Sequence, residues 1–133
     1  MNEFQGRSDS DLVHVELMDF ERRVLQQGLF QWGGPAALKD LMAMAMGFAS
    51  KDDFFAVARG LATRLEQKAP LRRIDWERVL LATEIVFVSD VVGAGYEWET
   101  VTGLDDDETL RTLRSLQVRL INAYAVPRWS ASP

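Results

Sequence analysis

The residue best placed to do chemistry in this sequence is Glu84, which stands in the middle of an apolar stretch from residue 79 to residue 92. A carboxylate in apolar surroundings has a raised pKa and can serve as a general acid or base. Alternatively, a basic side chain from a neighbouring helix pairs with it, and Arg114 lies at the edge of an apolar helical face from which it can reach inward. Because no catalytic motif accompanies the glutamate, we predict a buried Glu84–Arg114 ion pair and no catalytic residue.

A second carboxylate, Glu21, lies within the apolar face of the first predicted helix, and His14 lies two turns before it on that face. Two intruding glutamates and one histidine raise the question of a carboxylate-rich metal site in a helical bundle. Bundles of that kind use Glu-x-x-His pairs, which this sequence lacks. A separation of seven residues places His14 and Glu21 about 10 Å apart along a helix axis. We therefore predict no metal and no cofactor.

Motifs for a nucleophile or for phosphate binding are also missing from the sequence. There is no cysteine, Ser89 has no Gly-x-Ser-x-Gly turn around it, and Gly93-Ala94-Gly95 follows a predicted helix instead of opening one. We predict that the protein is not an enzyme. An enzyme or small-ligand-binding domain centred on Glu84 and Glu21 stays open as a further alternative.

Acidic charge is concentrated between residues 90 and 110, which hold seven of the 20 acids and none of the 15 bases. Four consecutive residues there alternate aromatic and acidic side chains: Tyr96, Glu97, Trp98 and Glu99. The alternation predicts a short extended piece with aromatics on one side and acids on the other. One side of such a piece is expected to pack against the domain. If the aromatics are instead exposed, the segment combines anchor residues with negative charge, as docking of a basic protein requires. These four residues are the predicted partner-binding site.

Helical periodicity runs through almost the whole chain, and no convincing strand interrupts it. Capping and breaking residues place five predicted helices at about residues 11–27, 35–47, 50–69, 75–93 and 105–124. Ser50, Asp75 and Asp105 are the predicted N-caps. Gly28 is predicted to lie just past the end of the first helix.

The fourth predicted helix, residues 75–93, carries apolar side chains in nearly every direction around its axis. Such a helix is normally surrounded by other helices. We therefore predict an all-α fold, a compact five-helix bundle-like domain in which four amphipathic helices enclose this central one. Gly60, one turn after Ala56 in the third helix, is predicted to permit a close helix crossing.

Length and composition fit one soluble domain, with 133 residues of which 47% are apolar. We predict a flexible N-terminus at residues 1–10, a single helical domain at 11–125 and a loose C-terminal tail at 126–133. The sequence has neither a signal-peptide pattern nor an apolar run of the roughly 18 residues that a membrane span needs. We expect a cytoplasmic protein that makes no membrane contact.

Residues 41–61 resemble the second helix-turn-helix of AraC-type transcription regulators. In that family a short helix leads through Gly-Phe-x-Ser-x-x-x-Phe into a recognition helix, and Gly47, Phe48, Ser50 and Phe54 match this pattern. The resemblance covers about a sixth of the chain. It implies a helix-turn-helix at these residues and, as an alternative function, a small transcription regulator.

Taken together, the sequence favours a small acidic protein-interaction module, for example an immunity or antitoxin-like protein that binds a basic protein partner through the loop at residues 94–108. The net charge of −5, with Asp52 and Asp53 at the start of the third helix, argues against a nucleic-acid partner. A basic segment is compatible with a nucleic-acid partner, because it could form a phosphate-facing patch. Alternatively, it forms a solvated face whose charges pair with one another. The members of this segment are Arg59, Arg64, Lys68, Arg72, Arg73 and Arg78.

Overall fold

Most of the described chain is helical, which confirms the predicted all-α class. The computed structural model describes residues 11–34 and 36–131, with side chains through residue 123. Six helices are found in this part of the chain, one more than predicted. They are α1 (Asp19–Phe30), α2 (Asp40–Ala45), α3 (Lys51–Glu66), α4 (Arg73–Val88), α5 (Trp98–Thr102) and α6 (Asp106–Ala131), with single 3₁₀ turns at Gln31–Gly33 and Gly95–Glu97.

Residues 11–18 form an extended arm and not the first half of a helix, so the prediction was wrong there. The arm contains strand β1 (Leu12–Val13), which pairs antiparallel with β2 (Leu71–Arg72). Trp76 fastens the arm by donating its indole N–H to the Val13 carbonyl over 2.9 Å. Between residues 13 and 17, half-buried apolar side chains alternate with exposed polar ones, which is the period of a strand. A helical wheel also accommodates so short a pattern, and only pairing with β2 decides between the two.

Two of the three predicted N-caps are confirmed. At the start of α3, Asp53 donates its N–H to the Ser50 hydroxyl over 3.1 Å, and the Asp53 carboxylate accepts the Ala49 N–H over 2.9 Å. At the start of α6, the Asp105 carboxylate accepts the Glu108 N–H over 2.9 Å. Each cap satisfies backbone donors that have no partner inside the helix.

Asp75 is not the cap of α4. Strand β2 leads directly into this helix, so Arg72 takes the cap position and Asp75 falls inside the first turn. There Asp75 is buried and pairs with Arg72 and Arg78, each over 3.1 Å. Internal pairing, one of the two interpretations of the basic segment, therefore holds for these two arginines.

The helices α1 and α4 cross closely because Gly28 has no side chain. A Cβ atom at Gly28 would lie 1.9 Å from the hydroxyl oxygen of Thr83, which is fully buried and donates to the Val79 carbonyl over 2.8 Å. Gly28 therefore lies within α1 and not past its end. A close crossing was predicted for Gly60, but this residue is exposed, and a Cβ there would meet no heavy atom within 4 Å.

The fourth predicted helix ends five residues early and is not enclosed on all sides. In α4 Leu81 is 36% exposed and Val88 is 68% exposed, whereas Trp76, Val79 and Val86 face the core. Buried side chains from α1, α3, α4 and α6 join one hydrophobic cluster that includes three indole rings, those of Trp32, Trp76 and Trp98. The core thus lies between the helices and not around α4.

At the C-terminus α6 runs to Ala131, so most of the predicted loose tail at residues 126–133 is helical. Pro127 lacks an N–H and weakens a helix by removing one backbone hydrogen bond, but it does not oblige the helix to end. The predicted flexible N-terminus, residues 1–10, lies outside the described residues. None of the helices described has both the length and the apolar character needed to cross a membrane.

Candidate partner-binding groove

The segment that follows α4 is held in one shape by hydrogen bonds to its own backbone groups. The Ser89 hydroxyl accepts the N–H groups of Val91 (3.2 Å) and Val92 (3.0 Å) just after the helix ends. The Ala94 N–H then donates to the Val86 carbonyl over 2.7 Å, which turns the chain back against the last turn of α4. Side-chain bonds of this kind compete with helical ones and stop a helix. They explain why α4 ends before Val91 although the apolar sequence continues.

Two glycines allow the tight return of this segment. A Cβ at Gly93 would lie 2.6 Å from the Val86 carbonyl oxygen, and one at Gly95 would lie 1.9 Å from the Asp90 carboxylate. Gly95 also has φ +49°, a conformation that side-chain-bearing residues rarely adopt. The same Asp90 oxygen accepts the Tyr96 N–H over 2.7 Å. The segment from residue 89 to residue 97, here called the pinned loop, therefore presents its outer side chains from a fixed backbone.

Replacing Asp90 with alanine is expected to loosen the pinned loop without unfolding the domain. The variant removes a charge-assisted hydrogen bond, which contributes about 1.5–3 kcal/mol. Amide hydrogen exchange at Tyr96 should become at least about tenfold faster, because about 1.4 kcal/mol corresponds to one factor of ten. The Asp53 amide, capped at α3, serves as the internal reference and should keep its exchange rate. Unchanged exchange at Tyr96 would show that Asp90 does not pin the loop.

The pinned loop and the start of α2 form the two sides of a groove of about 550 Å³, here called the partner-binding groove. Three large apolar side chains at this groove face solvent: Leu41 is 81% exposed, Val91 is 93% exposed and Tyr96 is 77% exposed. Apolar side chains that cluster around one groove, unlike scattered ones, mark interaction sites.

Charged groups rim this apolar centre. Asp90, Glu97 and Lys39 line the groove, and the acids at the start of α6 follow Glu97 closely in the chain. Burial raises the pKa of the Asp106 carboxyl above its ordinary value of 3.8, and the nearby carboxylates of Glu99, Asp105 and Asp107 raise that pKa further. Mutual repulsion of this kind indicates a locally negative surface at the start of α6.

The four residues predicted to bind a partner do not lie on one surface. Tyr96 and Glu97 are exposed and line the groove. Trp98 is fully buried, donates its indole N–H to the Thr109 hydroxyl over 3.1 Å and packs edge-on against a phenylalanine ring. Glu99 is exposed, but its carboxylate accepts the Asp106 N–H over 3.2 Å at the start of α6.

This division corrects the predicted extended piece. The chain at Gly95–Glu97 is a 3₁₀ turn and continues as α5, so successive side chains turn around an axis and do not alternate between two sides. Residues missed by sequence reasoning, Leu41 and Val91, complete the apolar centre. Ser89 and Asp90 carried the signal for Val91, because a hydroxyl and a carboxylate in succession favour a turn over a continuing helix.

The predicted direct pair between Glu84 and Arg114 does not form. The Glu84 carboxylate accepts a hydrogen bond of 2.7 Å from the Gln117 amide nitrogen, and the Gln117 amide oxygen receives a 3.4 Å contact from Arg114. Glu84 is half-buried and Arg114 is exposed, so a carboxylate at this position keeps contact with water and does not need a directly paired cation. Gln117, one turn beyond Arg114, occupies the place expected for the arginine.

Glu21 is buried in α1 and forms an ion pair with Arg119 of α6. This pair joins two helices that are distant in the chain. The other carboxylate oxygen of Glu21 accepts the Met18 N–H over 2.8 Å and so caps α1. His14 lies on the extended arm, exposed and 3.5 Å from Glu16. Among the described residues no group of histidines and carboxylates is arranged to hold a metal ion.

The segment at residues 41–61 contains a short helix, a turn and a second helix in the expected order. Gly47 has φ +98° in the turn between α2 and α3, Ser50 caps α3, and Phe48 and Phe54 are buried with ring centroids 4.9 Å apart. All four matching residues therefore serve the turn and the core. Asp52 is exposed at the first turn of α3, the position from which a recognition helix contacts DNA.

Comparison with known proteins gives no match for this chain among family models, curated proteins or solved structures. Function is therefore inferred from the geometry and charge of the groove.

Proposed function

We propose that the chain is a small protein-interaction module whose partner-binding groove receives an apolar side chain from a basic protein. The observation that carries the proposal is the group of three exposed apolar side chains, Leu41, Val91 and Tyr96, on two sides of one groove. A tyrosine flanked by aliphatic side chains is a typical binding anchor, since it contributes a large contact area at low cost in side-chain entropy.

Charge around the groove supports a basic partner. The segment from residue 90 to residue 110 holds seven acids and no base, and Asp90 and Glu97 lie at the groove itself. Complementary charge accelerates association and excludes acidic proteins. The exposed Asp52 at the first turn of α3 favours a protein partner over DNA, because a carboxylate there would repel phosphates.

The rigidity of the pinned loop supports tight binding. Hydrogen bonds to Ser89 and Asp90 fix the backbone that carries Val91 and Tyr96 before any partner arrives. A surface that is ordered in advance loses less conformational entropy on association. We expect the groove to keep its backbone shape when the partner binds.

A photo-crosslinking amino acid at Val91 tests the proposal in cells that express the chain. Val91 projects almost fully into solvent, so the replacement should be accepted by the fold. The control places the same amino acid at Ile121, which is 58% exposed on α6 and does not line the groove. We expect a protein that crosslinks at Val91 and not at Ile121, and that this protein is basic.

Titration of the chain and its variants with the purified partner then measures how much each groove residue contributes to binding. Tyr96→Ala should weaken binding by at least about 30-fold, the effect of losing about 2 kcal/mol at an anchor. Glu97→Lys should slow association and reduce its dependence on salt. Glu99 is unsuitable for charge reversal because its carboxylate accepts the Asp106 N–H at the start of α6. An acidic partner, equal crosslinking at Ile121, or full affinity after Tyr96→Ala would contradict the proposal.

A further inference from the structure

A second cleft, of about 420 Å³, opens between α3 and the β1–β2 ribbon and shares no residue with the partner-binding groove. Its volume lies within the roughly 300–1,000 Å³ typical of small-molecule sites. Aliphatic side chains from both sides form its walls: Leu12, Val57, Leu61 and Leu71. Two arginines, Arg64 and Arg72, line the same cleft.

The charges in this cleft do not cancel. Asp75, its one acid, already pairs through both carboxylate oxygens, with Arg72 on one side and Arg78 on the other. The guanidinium group of Arg64 has no hydrogen-bonding or ionic partner within the described residues. Arg64 and Arg72 against Asp75 leave one positive charge beside an apolar wall.

We propose that this cleft binds a small amphipathic carboxylate, with its anionic head at Arg64 and Arg72 and its apolar body along the aliphatic wall. A guanidinium group presents paired donors that match the two oxygens of a carboxylate. A single uncancelled charge suits a monoanion, and four aliphatic side chains suit a hydrocarbon body. The proposal does not depend on the partner-binding groove, because the two sites lie on different elements.

Titration with sodium decanoate, followed by amide chemical shifts, tests the proposal on the intact protein. We expect saturable shifts at the residues of α3 and β2 that line the cleft: Val57, Gly60, Leu61, Arg64, Leu71 and Arg72. Decanol supplies the apolar body without the charge, and acetate supplies the charge without the body. Each should bind at least about tenfold more weakly, the effect expected from losing either class of contact.

Two variants locate the site. Arg64→Gln should weaken decanoate binding at least about tenfold, whereas Arg59→Gln on the same helix, which lines a separate depression, should leave it unchanged. Gly60→Leu should fill the cleft and abolish binding with the fold intact, since the position is exposed, has open space around it and leucine favours helix. The proposal is overturned if decanol binds as well as decanoate, if the two arginine variants behave alike, or if no saturable shifts appear.

Discussion

Replacing Trp98 with alanine is expected to lower the free energy of unfolding by about 3–5 kcal/mol, the usual result of removing a large buried aromatic side chain. Trp98 is fully buried, contacts the Phe87 ring at a centroid distance of 5.4 Å and bonds to Thr109 on α6. Its loss leaves a cavity between α4, α5 and α6 and an unpaired hydroxyl. Urea unfolding followed by far-ultraviolet circular dichroism gives the measurement.

The matched variant is Tyr96→Ala, two residues earlier in the chain. Tyr96 is 77% exposed, so its removal should change the free energy of unfolding by no more than about 0.5 kcal/mol. For partner affinity we expect the opposite order: Tyr96→Ala should weaken binding more than Trp98→Ala, since Tyr96 lies at the groove and Trp98 does not. A Tyr96→Ala variant as unstable as Trp98→Ala would show that the division between core and groove is wrong.

Replacing Gly28 with alanine is expected to lower the free energy of unfolding by about 2 kcal/mol, although alanine favours helix by about 1 kcal/mol over glycine. The new methyl group would lie 1.9 Å from the Thr83 hydroxyl oxygen and 2.5 Å from its Cβ. Threonine cannot swing aside easily, because its χ1 angle is restricted and its hydroxyl is bonded to Val79. The helices α1 and α4 must therefore separate.

Gly60→Ala is the control, because it makes the same chemical change in a helix where a Cβ meets no heavy atom within 4 Å. It should raise stability by up to about 1 kcal/mol. A double-mutant cycle with Thr83→Gly should show coupling, with Gly28→Ala costing less when Thr83 is absent. If Gly28→Ala stabilises the protein as Gly60→Ala does, the close crossing is not present in solution.

The helix starts show which features of the fold can be predicted from local sequence. Ser50 with Asp53, and Asp105 with Glu108, were predicted correctly as caps because the donors and acceptors lie within three residues of each other. The arm at residues 11–18 was predicted wrongly, because its partner strand lies about 60 residues away in the chain. A short pattern that fits both a helix and a strand needs that distant pairing to decide it.

The candidate site shows the same division. Sequence reasoning found Tyr96 and Glu97 through charge and aromatic content, which are local properties. It also placed Trp98 and Glu99 with them, because it assumed an extended chain where the structure has a 3₁₀ turn and a helix. Leu41 became part of the groove only because α2 lies across from the pinned loop.

By itself, then, the sequence determined the helical class, two of the helix caps, the negative charge of residues 90–110 and the turn at Gly47. These depend on interactions within a few residues or on composition alone. Only the tertiary structure decided that Gly28 and not Gly60 makes the close crossing, that Gln117 and not Arg114 meets Glu84, and which aromatic side chain is exposed. Each of these depends on which element packs opposite a residue, and the packing of one helix face is fixed by residues far away in the chain.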